Sequence, residues 1–455
     1  MSSQASLVGL QARAEGRAFS LPLPVVGNDL TVPLVTGERV RYVHLDSAAS
    51  TPCLRAVHEA VNALLPWYAG VHRGDGFTST VMTELYEDAR AAIRHFAGAR
   101  SDDAVVFTRN TTDALNLLAS ALPEGTSVVT FASEHHANLL PWRRGDHVHL
   151  PIPASPDEAI ALADRALGAL QGKHRVLSVA GASNVTGEVW PLAELAAVAC
   201  ARGARFVVDA AQPAPHRTVD MAALGIDYLA LSGHKLYAPF GSGVLVGRAD
   251  WLDGAQPYLA GGGAVRRVTV GDVEWIDGPA RHEGGSPNVL GALSLAAACR
   301  ALSSVGMDRI ETYERGVFAE LTQCLHAHED VAVVSMWGSR SDRVGVATFT
   351  VARWAPGALA AALSAEHGIG VRAGAFCAHP LVSALVNGAA EEDCGAQGAA
   401  RASIGAGTSY TDISRFRLAL SDLVEHGARW SYRASEGRYV PDPDPRTRPV
   451  FPTLA

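Results

Sequence analysis

The chain of 455 residues is too long for one hydrophobic core, so a large and a small lobe are expected. Its 48% apolar content is that of a globular protein, and a formal net charge of −8 argues against nucleic acid as the main partner, because such binders carry a basic footprint. The cysteines at 53, 200, 299, 324, 377 and 394 form no CxxC pair and no dense framework, which argues against a metal site and a secreted disulfide scaffold.

Residues 1–42 are mixed and Pro-containing and read as an N-terminal arm packing with the small lobe. The opening stretch lacks a signal-peptide core, and no apolar run reaches the length of a membrane span. A cytoplasmic protein acting on a small molecule, with no membrane partner, is the expectation.

From Tyr42 onward, short apolar and β-branched runs alternate with helical patterns. The runs at 103–108 (DAVVFT), 127–131 (SVVTF), 175–180 (RVLSVA), 205–209 (RFVVD) and 228–231 (YLAL) predict strands buried on both faces. Helices are predicted over 112–122 and 192–202. This alternation predicts an α/β fold, a mainly parallel sheet sandwiched by helices, with functional loops at the strand carboxyl ends. The large lobe is assigned to 43–300 and the small α+β lobe to 301–432, which opens on a helix over 308–327 and continues with strands at 331–335 and 344–351. Residues 433–455 are rich in Pro, Arg and Asp, and their low periodicity predicts a weakly ordered tail or a wrapping segment.

Two residues carry the first chemical signal. Lys235 directly follows the strand YLAL, and Asp209 ends the strand RFVVD. A lysine and a carboxylate at neighbouring strand ends suit pyridoxal 5′-phosphate (PLP). The amine forms a Schiff base with its aldehyde, and the carboxylate keeps the pyridine nitrogen protonated. Thr111 and Thr112 open a helix after a strand, where amides, hydroxyls and helix dipole suit a phosphate dianion.

The segments VVDAAQ and SGHKLYAPFGSGVL resemble the class V aminotransferase superfamily, PLP fold type I. YVHLDSAAST (42–51), VHRGDG (71–76), FTRNTTDALNLLA (107–119), SEHHANLLPW (133–142), SNVTGEVWPL (183–192) and EGGSPN (283–288) follow in the same order. The likeness spans about residues 40–430 and is strongest to the cysteine desulfurase and selenocysteine lyase branch. It implies a large domain with a seven-stranded sheet and a smaller domain. It makes Lys235 the cofactor lysine, Asp209 the pyridine partner and Gln212 a donor to the cofactor's 3′-oxygen. His135 stacks over the ring and assists proton transfer, while His136 reads as structural. Thr112, Ser232 and His234 contact the phosphate. Asn184 lies near the 3′-oxygen and the substrate carboxylate. Ser286 stands where the family has a threonine that reaches the phosphate from the partner subunit, implying a homodimer with shared sites.

The loop VRAGAFCAHP resembles the desulfurases' cysteine loop, which makes Cys377 the persulfide-forming nucleophile. Arg401, in ARASIG, matches the arginine that binds the substrate carboxylate as a bidentate fork, and Arg372 is its neighbour. The resemblance thus implies removal of sulfur from L-cysteine, giving alanine and a persulfide for a protein acceptor. Three departures bear on the reaction. Ala375-Phe376 replaces a His-His pair, Cys377 and Arg401 are 24 residues apart across an acidic insert (NGAAEEDCGAQGAA), and IGAGTSYTD follows the arginine. They leave open another PLP reaction in secondary metabolism: a selenocysteine lyase, carbon–sulfur lyase, epimerase or aminotransferase. A non-enzymatic binding protein conflicts with the joint presence of Lys235, Asp209, His135 and Arg401.

Overall fold

A computed structural model describes residues 20–387 and 398–451. Most of the acidic insert, including Cys394, lies outside these residues. Seven strands form the main sheet: β1 (Asp103–Thr108), β2 (Thr126–Phe131), β3 (Asp146–Leu150), β4 (His174–Ala180), β5 (Arg205–Asp209), β6 (Tyr228–Ser232) and β7 (Gly243–Arg248). Their spatial order is β1-β7-β6-β5-β4-β2-β3. β7 runs antiparallel to both neighbours, and the other pairs are parallel.

Successive side chains of a strand point to opposite faces, and the core divides accordingly. Val105, Val129, Leu177, Val179, Phe206, Val208, Leu229 and Leu231 pack on one face with helices Pro156–Ala169, Leu192–Ala201 and Val289–Val305. Val106, Val128, Val176, Val207, Tyr228, Ala230 and Leu245 pack on the other with helix Thr111–Ala121. This is why those strands read as unbroken apolar runs. β3 (DHVHL) lies at the sheet edge, half-buried and polar, and so gave no such signal. β7 (GVLVGR) is not among the predicted strands, although five of its six residues are buried.

A second sheet contains β8 (Val331–Val333), β9 (Val346–Val351), β10 (Arg372–Gly374) and β11 (Ala399–Ser403), all antiparallel in the order β8-β9-β11-β10. Helices Met307–His326, Pro356–His367 and Tyr410–His426 cover it, with Val317, Leu321, Phe349, Leu359, Phe416 and Leu420 in a separate apolar cluster. The N-terminal segment lies against these helices. Its hairpin Thr31–Pro33 and Arg39–Arg41 is followed by an ion pair between Arg41 and Asp412, and Val35 N donates to Ala365 O at 2.9 Å.

The C-terminal segment is more ordered than its composition predicts. Tyr432–Ser435 and Arg438–Pro441 form a hairpin on helix Pro356–His367. Buried Glu366 fixes it, accepting from Tyr432 Oη at 2.7 Å and Arg429 N at 2.9 Å. Polar bonds to a side chain 66 residues away leave no local periodicity to detect.

Candidate active site

Lys235 lies in a short 3-10 turn (Gly233–Lys235) that breaks off the end of β6. Asp209 is the last residue of neighbouring β5 and is buried. Burial pushes the Lys235 amine down to about 8, with the negative charge of Asp209 opposing the shift. Burial likewise pushes the Asp209 carboxyl up, opposed by Lys235 and by Ala211 N, which donates to Asp209 Oδ1 at 2.9 Å. Each group is thus the other's main attractive partner in a desolvated place.

The residues expected to hold a phosphate converge on the same edge. Thr111 N donates to Ser232 Oγ at 2.8 Å, and the two hydroxyls are 2.9 Å apart. Asn110 caps the helix Thr111–Ala121 through Asp113 N at 2.9 Å. Thr112 is exposed in its first turn. Gly243 makes this approach possible: a Cβ there would lie 2.6 Å from Asn110 Cα and 2.8 Å from Leu231 O. Burial and the charge of Lys235 lower the pKa of the half-buried His234 ring. Its backbone carbonyl accepts from Thr51 N at 2.9 Å, fastening the lysine turn to the N-terminal loop. Gln212 Nε2 donates to Ala48 O of that loop at 3.0 Å.

His135 precedes a second short 3-10 turn, and its Nδ1 accepts from Ala137 N at 3.0 Å. That bond places the proton of the neutral ring on Nε2. Burial, then the charge of Lys235, pushes His135 down to about 3. Beside it, Glu134 is fully buried and pushed up to about 8 by that burial, with Asn138 Nδ2 donating to Oε2 at 2.8 Å.

The cysteine loop closes over this edge. Cys377 is exposed, and its carbonyl accepts from His136 N at 2.8 Å. Asn184 Nδ2 donates to Phe376 O at 2.7 Å. Arg401 is buried in β11, with Nη1 donating to Asn184 O at 2.8 Å and its guanidinium 4.8 Å from the centre of the Phe376 ring. Burial pushes Arg401 down to about 10, opposed by Asp46. Asp46 was not foreseen, because an aspartate after a short polar strand carries no local signal. It lies 3.4 Å from Arg401 and 3.0 Å from Arg372.

Lys235, Asp209, His135, Asn184, Gln212, Ser232, Arg401, Arg372 and the Cys377 loop are therefore gathered at the carboxyl edge of the sheet. Ser286 is not among them; it is exposed in the loop 283–288. That loop is fixed by Glu283, whose carboxylate accepts from Arg90 Nη1 at 2.7 Å, Arg90 Nη2 at 2.6 Å, Tyr86 Oη at 3.0 Å and Phe107 N at 2.6 Å.

The donor set fits PLP. A desolvated lysine can be neutral, a buried carboxylate lies beside it, and a capped helix N-terminus and hydroxyls supply a dianion cradle. Arg401 Nε is buried without a hydrogen-bond partner among the described residues, a donor left for an anion.

The family model for aminotransferase class V matches residues 43–416. A cysteine desulfurase of Dickeya dadantii is 36% identical over 361 residues, covering 77% of this chain and 85% of the relative. The apo structure of a cysteine desulfurase from Thermococcus onnurineus aligns with a TM-score of 0.76 at 32% identity, over 84% of this chain and 95% of that one. The Escherichia coli cysteine desulfurase CsdA, in an S-sulfonic acid form, aligns with a TM-score of 0.73 at 31% identity, over the same shares. Among the described residues no single helix is long and apolar enough to cross a membrane.

Proposed function

The chain belongs to the class V aminotransferase family and is a cysteine desulfurase-like enzyme, and from this we propose that it binds PLP on Lys235 and removes sulfur from L-cysteine. The observation that carries the reading is the exposed Cys377 tethered, through its own carbonyl and that of Phe376, to His136 and Asn184 at the lysine edge.

When bound, PLP supplies an electron sink for the bonds at the substrate α-carbon. Asp209 holds the pyridine nitrogen, and Thr111, Thr112, Ser232 and His234 hold the phosphate. Gln212 orients the ring from its 3′-oxygen side. Arg401 and Asn184 orient the substrate carboxylate, with Arg372 beside them. Lys235 would anchor the cofactor and, with Nζ deprotonated, would move the substrate α-proton. His135, neutral down to about pH 3, covers the ring and offers its Nε2 proton. The Cys377 thiolate attacks the substrate sulfur; the S–S bond forms as the C–S bond breaks. A persulfide stays on Cys377, the electron pair and a proton end on the released alanine, and a protein acceptor later takes the sulfur.

The exposed Trp67, Tyr68, Phe77 and Leu259 support a homodimer in which Ser286 completes the partner's phosphate site. A cytoplasmic, reducing setting keeps the thiol free. The domain division at about residues 42, 300 and 432 belongs to the same reading; the separate apolar clusters of the two sheets support two lobes, with Val43 and Leu45 packing on the smaller one.

Cys377→Ser decides the central step. With L-cysteine, the variant is expected to lose alanine and persulfide formation while keeping its cofactor absorbance. Alanine and sulfide released at the full rate would sink the nucleophile role. They would favour a thiol-independent PLP reaction on selenocysteine or another amino acid, which the apolar Ala375-Phe376 pair also fits.

A further inference from the structure

Phe376 occupies both groups that would receive a substrate carboxylate. Its carbonyl takes the Asn184 amide at 2.7 Å, and its ring stacks 4.8 Å from the Arg401 guanidinium. The ring is seated among Val185, Ala378, Leu381, Val382 and Ala399 and is 8% exposed. Phe376 and Cys377 are both left-handed, at φ 54° and 56°. Neither has the glycine that this region favours, so the loop holds a conformation its neighbours must impose. The imposing contacts are few: the turn bond from Ala378 N to Ala375 O at 2.9 Å, Asn184 on Phe376 O, His136 N on Cys377 O at 2.8 Å, and the apolar seat of the ring.

We propose that Phe376 is a specificity-determining residue whose displacement by a substrate carboxylate frees the Cys377 loop. A carboxylate is a stronger acceptor than a peptide carbonyl. Entering between Asn184 and the unpartnered Arg401 Nε, it takes the amide from Phe376 O and pairs with the guanidinium. The strained pair then relaxes, and the thiol gains the freedom to reach the substrate sulfur. Thiols without a neighbouring carboxylate leave the tether closed. The ring at 376 therefore selects substrates by a group distant from the sulfur. The inference rests on the proposed roles of Asn184 and Arg401.

The test is hydrogen exchange of the holoenzyme, followed by mass spectrometry on peptides covering 131–140 and 372–386, with and without saturating L-alanine. L-Alanine carries the amine and carboxylate but no sulfur, and the cofactor absorbance of the same sample reports its entry. In the wild type, L-alanine is expected to speed exchange of the His136 and Ala378 amides by about fivefold or more, the lower range of coupling between two sites. Phe376→Ala is expected to exchange fast without L-alanine and to show no further response. Phe376→Tyr, which keeps the ring on Arg401, is expected to behave as wild type and guards against misfolding of the smaller variant. If absorbance responds but wild-type exchange does not, the tether is refuted while the site reading stands. If Phe376→Ala responds as the wild type does, Phe376 is not the tether. If absorbance itself is unmoved by L-alanine, the carboxylate-site reading falls and takes the tether with it.

Discussion

Arg372 and Arg401 lie directly opposite each other on adjacent strands, and both guanidinium groups turn onto Asp46. Like charges facing across a ladder repel; one carboxylate from the N-terminal loop holds both in place.

Asp46→Asn is accordingly expected to destabilise the fold by about 2 kcal/mol, discounted from the range for buried pairs because Arg372 is half exposed. Urea unfolding reads this as a lower midpoint at an unchanged slope. An unchanged midpoint would mean that Asp46 does not balance the two cations. In the same cluster, Arg401→Lys retains the charge and loses the fork. It should raise KM for the amino acid while cofactor absorbance is kept.

Lys235 gives a pH prediction for the cofactor-free protein. Its amine titrates near 8 when folded, below its ordinary 10.5. Between these values the unfolded chain holds a proton that the folded chain lacks, so this group makes stability rise with pH across that window. Capture of PLP needs the neutral amine, so its rate should rise through about pH 8. Asp209→Asn removes the negative charge that favours the ammonium form, and the midpoint should fall. Absorbance at a series of pH values, with borohydride trapping, follows both; a midpoint that rises in the variant would contradict the pairing.

Glu283 accepts four hydrogen bonds from three residues on two separate elements, the helix Phe77–Phe96 and β1. Glu283→Gln leaves the buried Arg90 with only the half-exposed Glu87 as counter-ion and should cost about 3 kcal/mol. Replacing both Glu283 and Arg90 with Met removes the charges but leaves the Phe107 amide and the Tyr86 hydroxyl without their acceptor, so only part of that loss should be recovered. A double-mutant cycle by chemical denaturation measures the coupling. Additive effects would show that the two side chains do not act as a pair.

Gly243→Ala adds one methyl group against Asn110 and Leu231, with no polar group changed. Overpacking of this size costs about 1–3 kcal/mol, and here it separates the phosphate turn from the lysine turn. Weaker PLP retention by about tenfold is expected, near 1.4 kcal/mol. Gly271→Ala, where a Cβ meets nothing within 4 Å, is the control and should retain PLP normally.

The strand-end chemistry was legible because it is local. Asp209 and Lys235 each follow an apolar run whose burial on both faces leaves a plain signature. The segment around Thr111 announced its helix start in the same way. What was not legible depends on distant parts of the chain. Asp46 meets its two arginines across more than 300 residues. Phe376 reads only as one histidine lost from a pair, and only the fold shows that its carbonyl and ring occupy Asn184 and Arg401. β3 escaped notice because an edge strand can be half wet, and β7 because glycines flank its short apolar core.

The hairpin over Glu366 bears on how this protein is handled at the bench. The family match stops at residue 416, yet Arg429 and Tyr432 cover a buried carboxylate of helix Pro356–His367. A recombinant chain trimmed at the family boundary would also cut through the helix Tyr410–His426. Expression plasmids should therefore run past Pro443, whose carbonyl receives Trp430 Nε1 at 2.7 Å, if the purified protein is to keep its small sheet shielded.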